Sequence, residues 1–192
     1  MTKQEEKQQL RKIMRKLEQQ LPPRYRQAAD RSIAAHLLAM PEYQAAGAVF
    51  CFVGTPTEID TRPILTDALA RGKTLCVPAC VDRTTMVLRR IFRLEELSPG
   101  AYGILEPPAA SPLIPPEDIG LLIVPCVTCS PGGERLGHGG GYYDRYLEYY
   151  QGPAILVCPD RLLQPRVPVD LHDRRVRIVA TETQIWRTGA AL

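Results

Sequence analysis

The eleven residues RLGHGGGYYDR, Arg135 to Arg145, set Gly137, Gly139, Gly140 and Gly141 directly before a run of tyrosines and an Asp-Arg pair. Glycine loses more backbone freedom on folding than any other residue, so this density is a cost unless the conformation requires it. Downstream, Tyr143, Tyr146, Leu147 and Tyr150 recur at offsets of three and four, the spacing of one helical face, and predict a helix starting near Gly141 or Tyr142. Upstream, IGLLIVPCV is a short apolar run ended by Pro125, which suits a buried strand. Strand, glycine loop and helix start in that order would leave backbone N–H groups free at the positive end of a helix dipole. An anion, with phosphate the obvious candidate, is the chemistry this suits; the same cluster would also serve as a tight connection with a helix cap.

Generic nucleotide fingerprints are not met. No lysine followed by Ser or Thr succeeds the glycines, and there is no GxGxxG with its later ribose-binding acid. Of the six cysteines, most lie in apolar stretches such as FCFV, TLCVP and ILVCP and read as small buried hydrophobes. Cys126 and Cys129 form a CxxC, but it ends a strand and runs into SPGGE, a turn, whereas a redox CxxC is expected at a helix start. Cys76 and Cys80 lie four apart, so a zinc or redox site at these thiols is conceivable, with the turn context of the CxxC speaking against it. His36 and His172 share no metal-ligand spacing with anything and read as structural.

Residues 3 to 20 carry Leu10, Ile13, Met14 and Leu17 at helical spacing and are stopped by Pro22-Pro23, which predicts a first helix. Arg24 to Met40 predicts a second, with Ala28, Ile33, Leu37 and Leu38 inward, and Thr61 to Arg71 a third, with Pro63 in its first turn. GAVFCFV reads as a core strand, followed by strands at Lys73 to Val77, Met86 to Phe92, Ile119 to Val124, Ala154 to Cys158 and Val176 to Thr181. The alternation predicts one α/β domain over residues 1–192, a three-layer α/β/α arrangement whose largely parallel or mixed sheet is flanked by helices on both faces. The proline-rich stretch from Leu94 to Pro116 reads as an ordered surface excursion, and no internal repeat is present. Ligands of open α/β sheets bind beyond the carboxyl ends of strands. GTPTEIDT, SPGGERLGHGGGYYDR and the DLHD segment all fall at such ends, and their convergence makes a site there.

With 24 basic and 21 acidic residues the formal charge is only +3, which does not mark a nucleic-acid binder. The basic segments KQEEKQQLRKIMRK and RLLQPRVPVDLHDRRVR could each meet an anion, although most such charges simply face solvent. MTKQEEKQQL lacks the apolar stretch of a secretory signal and no run approaches the roughly 18 residues of a membrane span, so the expected location is cytoplasmic, with no membrane partner.

RLGHGGGYYDR resembles the signature of the 5-formyltetrahydrofolate cyclo-ligase (methenyltetrahydrofolate synthetase) family, in which arginine, leucine and glycine precede a glycine loop ending in Gly-Tyr-Tyr-Asp. The resemblance continues through Lys7 and Arg11, the PTEIDT loop, AYGILEP at Ala101 to Pro107, and HDRRVRIVATE. It implies ATP-dependent cyclisation of 5-formyltetrahydrofolate, free or polyglutamylated, to 5,10-methenyltetrahydrofolate with ADP and phosphate released and Mg²⁺ as cofactor, by a monomeric enzyme. By the same analogy Lys7 and Arg11 meet the ATP phosphates, while Arg135, Leu136, Gly137, His138, Gly139, Gly140, Gly141, Tyr142 and Tyr143 wrap the nucleotide. Asp144 and Asp173 would hold Mg²⁺, and Arg135, Tyr143 and Asp144 would be catalytic. Glu58 and Val53, with His138 through Tyr142, would border the folate. Without the resemblance, Asp144 would read as an acid favourably placed in a first helical turn, and Asp60 and Thr61 read as helix caps.

Departures from the family pattern fall at His138, Cys126, Cys129 and above all Arg177, where the family often has aspartate, close to Asp173. Arg177 sustains a second reading, a catalytically silent folate- or nucleotide-binding regulator. A third, a single-stranded nucleic-acid binder using the tyrosines, is weaker because tyrosines at helical spacing more simply pack a core.

Overall fold

The structure, a computed structural model, describes residues 2–100, 103–170 and 173–189. Ala101 and Tyr102 of the AYGILEP segment and His172 lie outside the described residues. The helices are α1 (Lys3–Gln20), α2 (Pro23–Ala39), α3 (Pro41–Ala45), α4 (Arg62–Ala70) and α5 (Tyr142–Tyr149). The strands are β1 (Ala48–Cys51), β2 (Thr74–Cys80), β3 (Met86–Ile91), β4 (Ser98–Pro99), β5 (Leu105–Glu106), β6 (Leu121–Val124), β7 (Thr128–Cys129), β8 (Arg135–Leu136), β9 (Ala154–Val157), β10 (Ile178–Ala180) and β11 (Ile185–Arg187).

Seven strands form one sheet in the order β11-β10-β9-β6-β1-β2-β3. The pairs from β10 through β2 are parallel, and β3 and β11 close the two edges antiparallel. Successive residues of a strand face opposite sides, and the core divides accordingly. Val49, Cys51, Leu75, Leu121, Ile123 and Ile155 join Ile33, Leu37, Ile64 and Leu65 of α2 and α4 on one face. Phe50, Cys76, Leu122, Leu156 and Val179 join Met14 of α1 and Tyr150 just past α5 on the other, with Tyr143, Tyr146 and Leu147 packed around them. The expected three-layer arrangement is present, and the tyrosines at helical spacing are core on their inner side.

Helix α1 spans the predicted residues and opens on a capping box, Thr2 accepting from the Glu5 N–H and the Glu5 side chain accepting from the Thr2 N–H. Its buried face is not the predicted one. Met14 is buried and Leu10 partly so, but Ile13 and Leu17 are exposed, and Lys7 and Glu18 are buried in their place. In α2 it is Ala29 and not Ala28 that turns inward. The last predicted strand shortens because the Val176 N–H donates to the Gly133 carbonyl instead of to a neighbouring strand. Short pieces absent from the sequence reading are α3, the edge strand β11 and two ribbons, β4-β5 and β7-β8. The SPGGE turn closes the second ribbon, so the glycine loop follows β8 and not β6 directly.

Candidate nucleotide and folate site

The strand order reverses at β1: β2 and β3 are laid down on one side of it, and β6, β9 and β10 later on the other. A crevice therefore opens beyond the carboxyl ends of β1 and β6, where such sheets bind ligands. A cleft of about 790 Å³ lies there, walled by α1, the loop after β1, the end of β2 and the glycine loop. Its volume falls in the range of small-molecule sites.

The glycine loop has the expected form. Gly141 is the residue before α5 and, like Gly139, takes a positive φ, 67° and 108° respectively. Gly140 does not; a Cβ there would instead come within 2.9 Å of the Tyr142 ring. The carbonyls of this run are occupied: Arg11 Nε donates to Gly137 O at 2.8 Å, Arg15 to His138 O at 3.1 Å and Arg145 to Gly140 O at 2.7 Å. Among the described residues no acceptor takes the N–H groups of Gly137, His138, Gly139, Gly140 or Gly141. Turned-in carbonyls held by three arginines leave the loop's donors for a ligand, which is the arrangement an anion needs.

Arg135 is buried beneath the loop, donating to Asp144 Oδ1 at 2.7 Å, while its Nε is buried without a partner. Its guanidinium lies 5.7 Å from the Tyr143 ring centroid, and Tyr143 packs against Phe50. Burial pushes the Tyr143 hydroxyl well above its ordinary pKa, so the phenol stays protonated. Leu136 does not line the cleft; its side chain is core, and its carbonyl accepts from Val127. The loop of the β2-β3 hairpin closes the outer side, Asp82 O accepting from the Tyr142 hydroxyl and Thr84 O from Arg145.

Lys7, Arg11 and Arg15, four residues apart, run along one face of α1 over the cleft. Lys7 bridges Asp170, at 2.6 Å, and Asp173. Burial alone would lower the Lys7 ammonium, but the hydrogen bonds to the two carboxylates outweigh it and leave its pKa raised. Burial, and next the charge of Arg15, lower Arg11. Cations crowded this closely favour an incoming anion. Asp144 and Asp173 both line the cleft, Asp173 against Lys7 and Asp144 against Arg135. Two carboxylates beside a phosphate-shaped loop suit Mg²⁺, which takes one or two protein carboxylates and fills its octahedron with phosphate and water oxygens.

Glu58 stands on the opposite wall. The loop carrying it is stapled by Thr61, whose buried hydroxyl donates to Phe52 O at 2.9 Å and accepts from Gly54 N–H at 3.1 Å. Thr61 thus clamps the loop and makes no side-chain cap; Asp60 accepts the Arg62 N–H. Glu58 accepts from Thr55 N–H at 2.9 Å and meets His138 Nε2 at 3.0 Å, joining the β1 loop to the glycine loop. Burial pushes the Glu58 carboxyl up, but His138 and the Thr55 N–H outweigh it and hold it below its usual range. Val53 lines the same wall. Sequence reasoning missed Glu18, Arg15 and Asp170, which also line the cleft. The signal for Arg15 and Glu18 was their register with Lys7 and Arg11 on α1.

A profile of the 5-formyltetrahydrofolate cyclo-ligase family matches residues 3–182. The chain belongs to that family. A probable 5-formyltetrahydrofolate cyclo-ligase of Schizosaccharomyces pombe is 29% identical over 81% of this chain and 85% of the relative. The Escherichia coli K12 5-formyltetrahydrofolate cyclo-ligase is 26% identical over 91% of this chain and 99% of its own. The structure of Aquifex aeolicus 5,10-methenyltetrahydrofolate synthetase superposes with a TM-score of 0.86 at 29% identity, covering 97% of this chain and 95% of that one.

Within a family member, the Arg177 departure loses its weight. Arg177 is exposed, its carbonyl accepts from Thr188, and it is not among the residues lining the cleft.

Proposed function

We propose that this cyclo-ligase family member catalyses the ATP-dependent closure of 5-formyltetrahydrofolate to 5,10-methenyltetrahydrofolate at the cleft between β1 and β6. A formyl group on N5 is amide-like, so its carbon is a poor electrophile and its oxygen a poor leaving group. Attack of that oxygen on the γ-phosphorus of ATP releases ADP and corrects both faults. N10 then attacks the activated carbon and loses its proton, and the C–O bond breaks to free phosphate. Phosphoryl transfer asks mainly for positioning and neutralisation of charge.

The residues supply both. The loop N–H groups from Gly137 to Gly141, with Lys7, Arg11 and Arg135, receive the phosphates, and Arg135 keeps an uncommitted buried donor for them. Asp144 and Asp173 would hold Mg²⁺, which when bound neutralises charge on the phosphate oxygens. Glu58 is the carboxylate for donor groups of the folate ring, with His138 and Val53 beside it. Tyr143, protonated and packed under the loop, keeps Arg135 in place. The single observation that carries this reading is the run of unpartnered loop donors facing the basic stripe of α1. The silent-regulator reading has no remaining support in the position of Arg177. We place the enzyme in the cytoplasm; among the described residues no helix is long and apolar enough to cross a membrane, and an Arabidopsis thaliana relative is named mitochondrial.

The test is MgATP-dependent appearance of methenyltetrahydrofolate absorbance from 5-formyltetrahydrofolate. Asp144→Ala should retain the fold and lose at least about 100-fold in turnover, the scale of removing one electrostatic contact made in the transition state. Wild-type turnover in that variant would remove Asp144 from the metal role, and no turnover by folded wild-type protein would remove the function.

A further inference from the structure

Cys126 follows β6 and Cys158 follows β9, neighbouring parallel strands whose carboxyl ends lie side by side, and Cys129 lies in β7 of the separate ribbon. Their sulfur atoms all lie within 4.8 Å of one another. The neighbouring contacts are protein: Cys126 Sγ donates to Val157 O at 3.4 Å and Cys158 Sγ to Pro159 O at 3.5 Å. Cys129 and Cys158 are buried, and all three thiols are free. The cluster lies behind the glycine loop, and Cys129 is the cross-strand partner of Arg135 in the β7-β8 ribbon. Nothing in the cyclisation uses it.

We infer that Cys126, Cys129 and Cys158 form a three-sulfur site for one thiophilic d¹⁰ cation, of which Zn²⁺ and Cu⁺ are the biological examples. Soft thiolates select such ions over the hard Mg²⁺. A metal–sulfur bond of about 2.3 Å places three ligating sulfurs roughly 4 Å apart, so the present triangle closes with a movement of under about 1 Å. Binding is an exchange without electron transfer: the thiol protons leave to solvent as the metal–sulfur bonds form. Of the three, Cys126 also lines a small cavity, together with Glu18 and Glu58. Because two sulfurs come from strand ends and one from the ribbon, the bound cation pins the ribbon carrying Arg135 to the sheet.

In sequence the CxxC made a zinc or redox site conceivable, against its context of strand end and turn; Cys158 completes the set from a distant strand. The test titrates the reduced, metal-free full-length protein with Cd²⁺ as probe. One equivalent bound, a thiolate-to-cadmium charge-transfer band and a raised melting temperature are expected, with the Cys126→Ser/Cys158→Ser double variant binding at least about 100-fold more weakly. Absence of the band, its persistence unchanged in the double variant, or recovery of the cysteines as a disulfide with no cation taken up each overturn the site. Should the variant fail to fold, alkylation of the wild type decides. Cd²⁺ must protect Cys126, the partly exposed member of the three, and leave labelling of the equally accessible Cys80 unchanged; equal Cys126 labelling with and without Cd²⁺ refutes the proposal.

Discussion

Glu18 shows how a helix position reads differently once it is buried. Burial, and next the charge of Glu58, raise its carboxyl from 4.5 to about 7. Between those values the folded protein keeps a proton that the unfolded chain has released. The associated stability is complete below about 4.5 and lost as pH rises through about 7. In Glu18→Gln, urea unfolding at pH 5 and pH 8 should show the difference between the two conditions shrink by about 1–3 kcal/mol. An unchanged difference would mean the carboxyl is solvated in the native state. The sequence marked Lys7 and Arg11 only through resemblance, because local spacing favoured Ile13 and Leu17 as the inner face. Periodicity reports which residues are apolar, whereas this helix turns its cations inward toward carbonyls and carboxylates supplied by distant segments.

At the scale of elements, two loops hold the walls of the cleft and each depends on one residue. Thr61 staples the β1 loop through Phe52 O and Gly54 N–H. Thr61→Val leaves both groups without that partner, so a loss of about 1–3 kcal/mol is expected. The raised KM for the folate, with kcat less affected, should follow from the freed Glu58; an unchanged KM would show the loop to be held otherwise. Gly133 takes a φ of 81°, and a Cβ there would run into the Val176 carbonyl. Gly133→Ala should therefore push the segment bearing Asp173 away from the ribbon, lowering stability by about 1–3 kcal/mol and weakening MgATP binding. Retention of both would contradict the docking of these two segments. The long elements were legible in the sequence because helices of this length and strands flanked by turns carry their own period. The β7-β8 ribbon was not, because a two-residue strand has no period and its pairing is decided by what it docks against.

For the whole molecule, the strand alternation sufficed to foresee a sheet covered on both faces, and resemblance supplied the site residues, which, Leu136 apart, line a cleft beside the switch in strand order. The sheet's edges explain why a single chain is the expected unit. The outer side of β3 is covered by the segment around Leu113, Arg90 N–H donating to Pro112 O and Ile114 N–H to Leu88 O. The other edge, β11, is three residues long, and Arg187 pairs across to Glu42. Short or covered edges resist strand pairing between copies. Sedimentation should give the monomer mass across concentration, and a concentration-dependent dimer would locate a partner surface that this reasoning overlooks.

The proposed chemistry requires the loop donors from Gly137 to Gly141 to receive a nucleotide's phosphates. Backbone amide resonances of nitrogen-15-labelled protein, followed during titration with Mg²⁺ and a non-hydrolysable ATP analogue, test this most directly. The resonances of Gly137, Gly139, Gly140 and Gly141 should shift strongly and saturably, together with His138, while Gly47 and Gly72, remote from the cleft, stay in place. Saturable shifts confined to other parts of the chain, with the glycine loop unmoved, would contradict it.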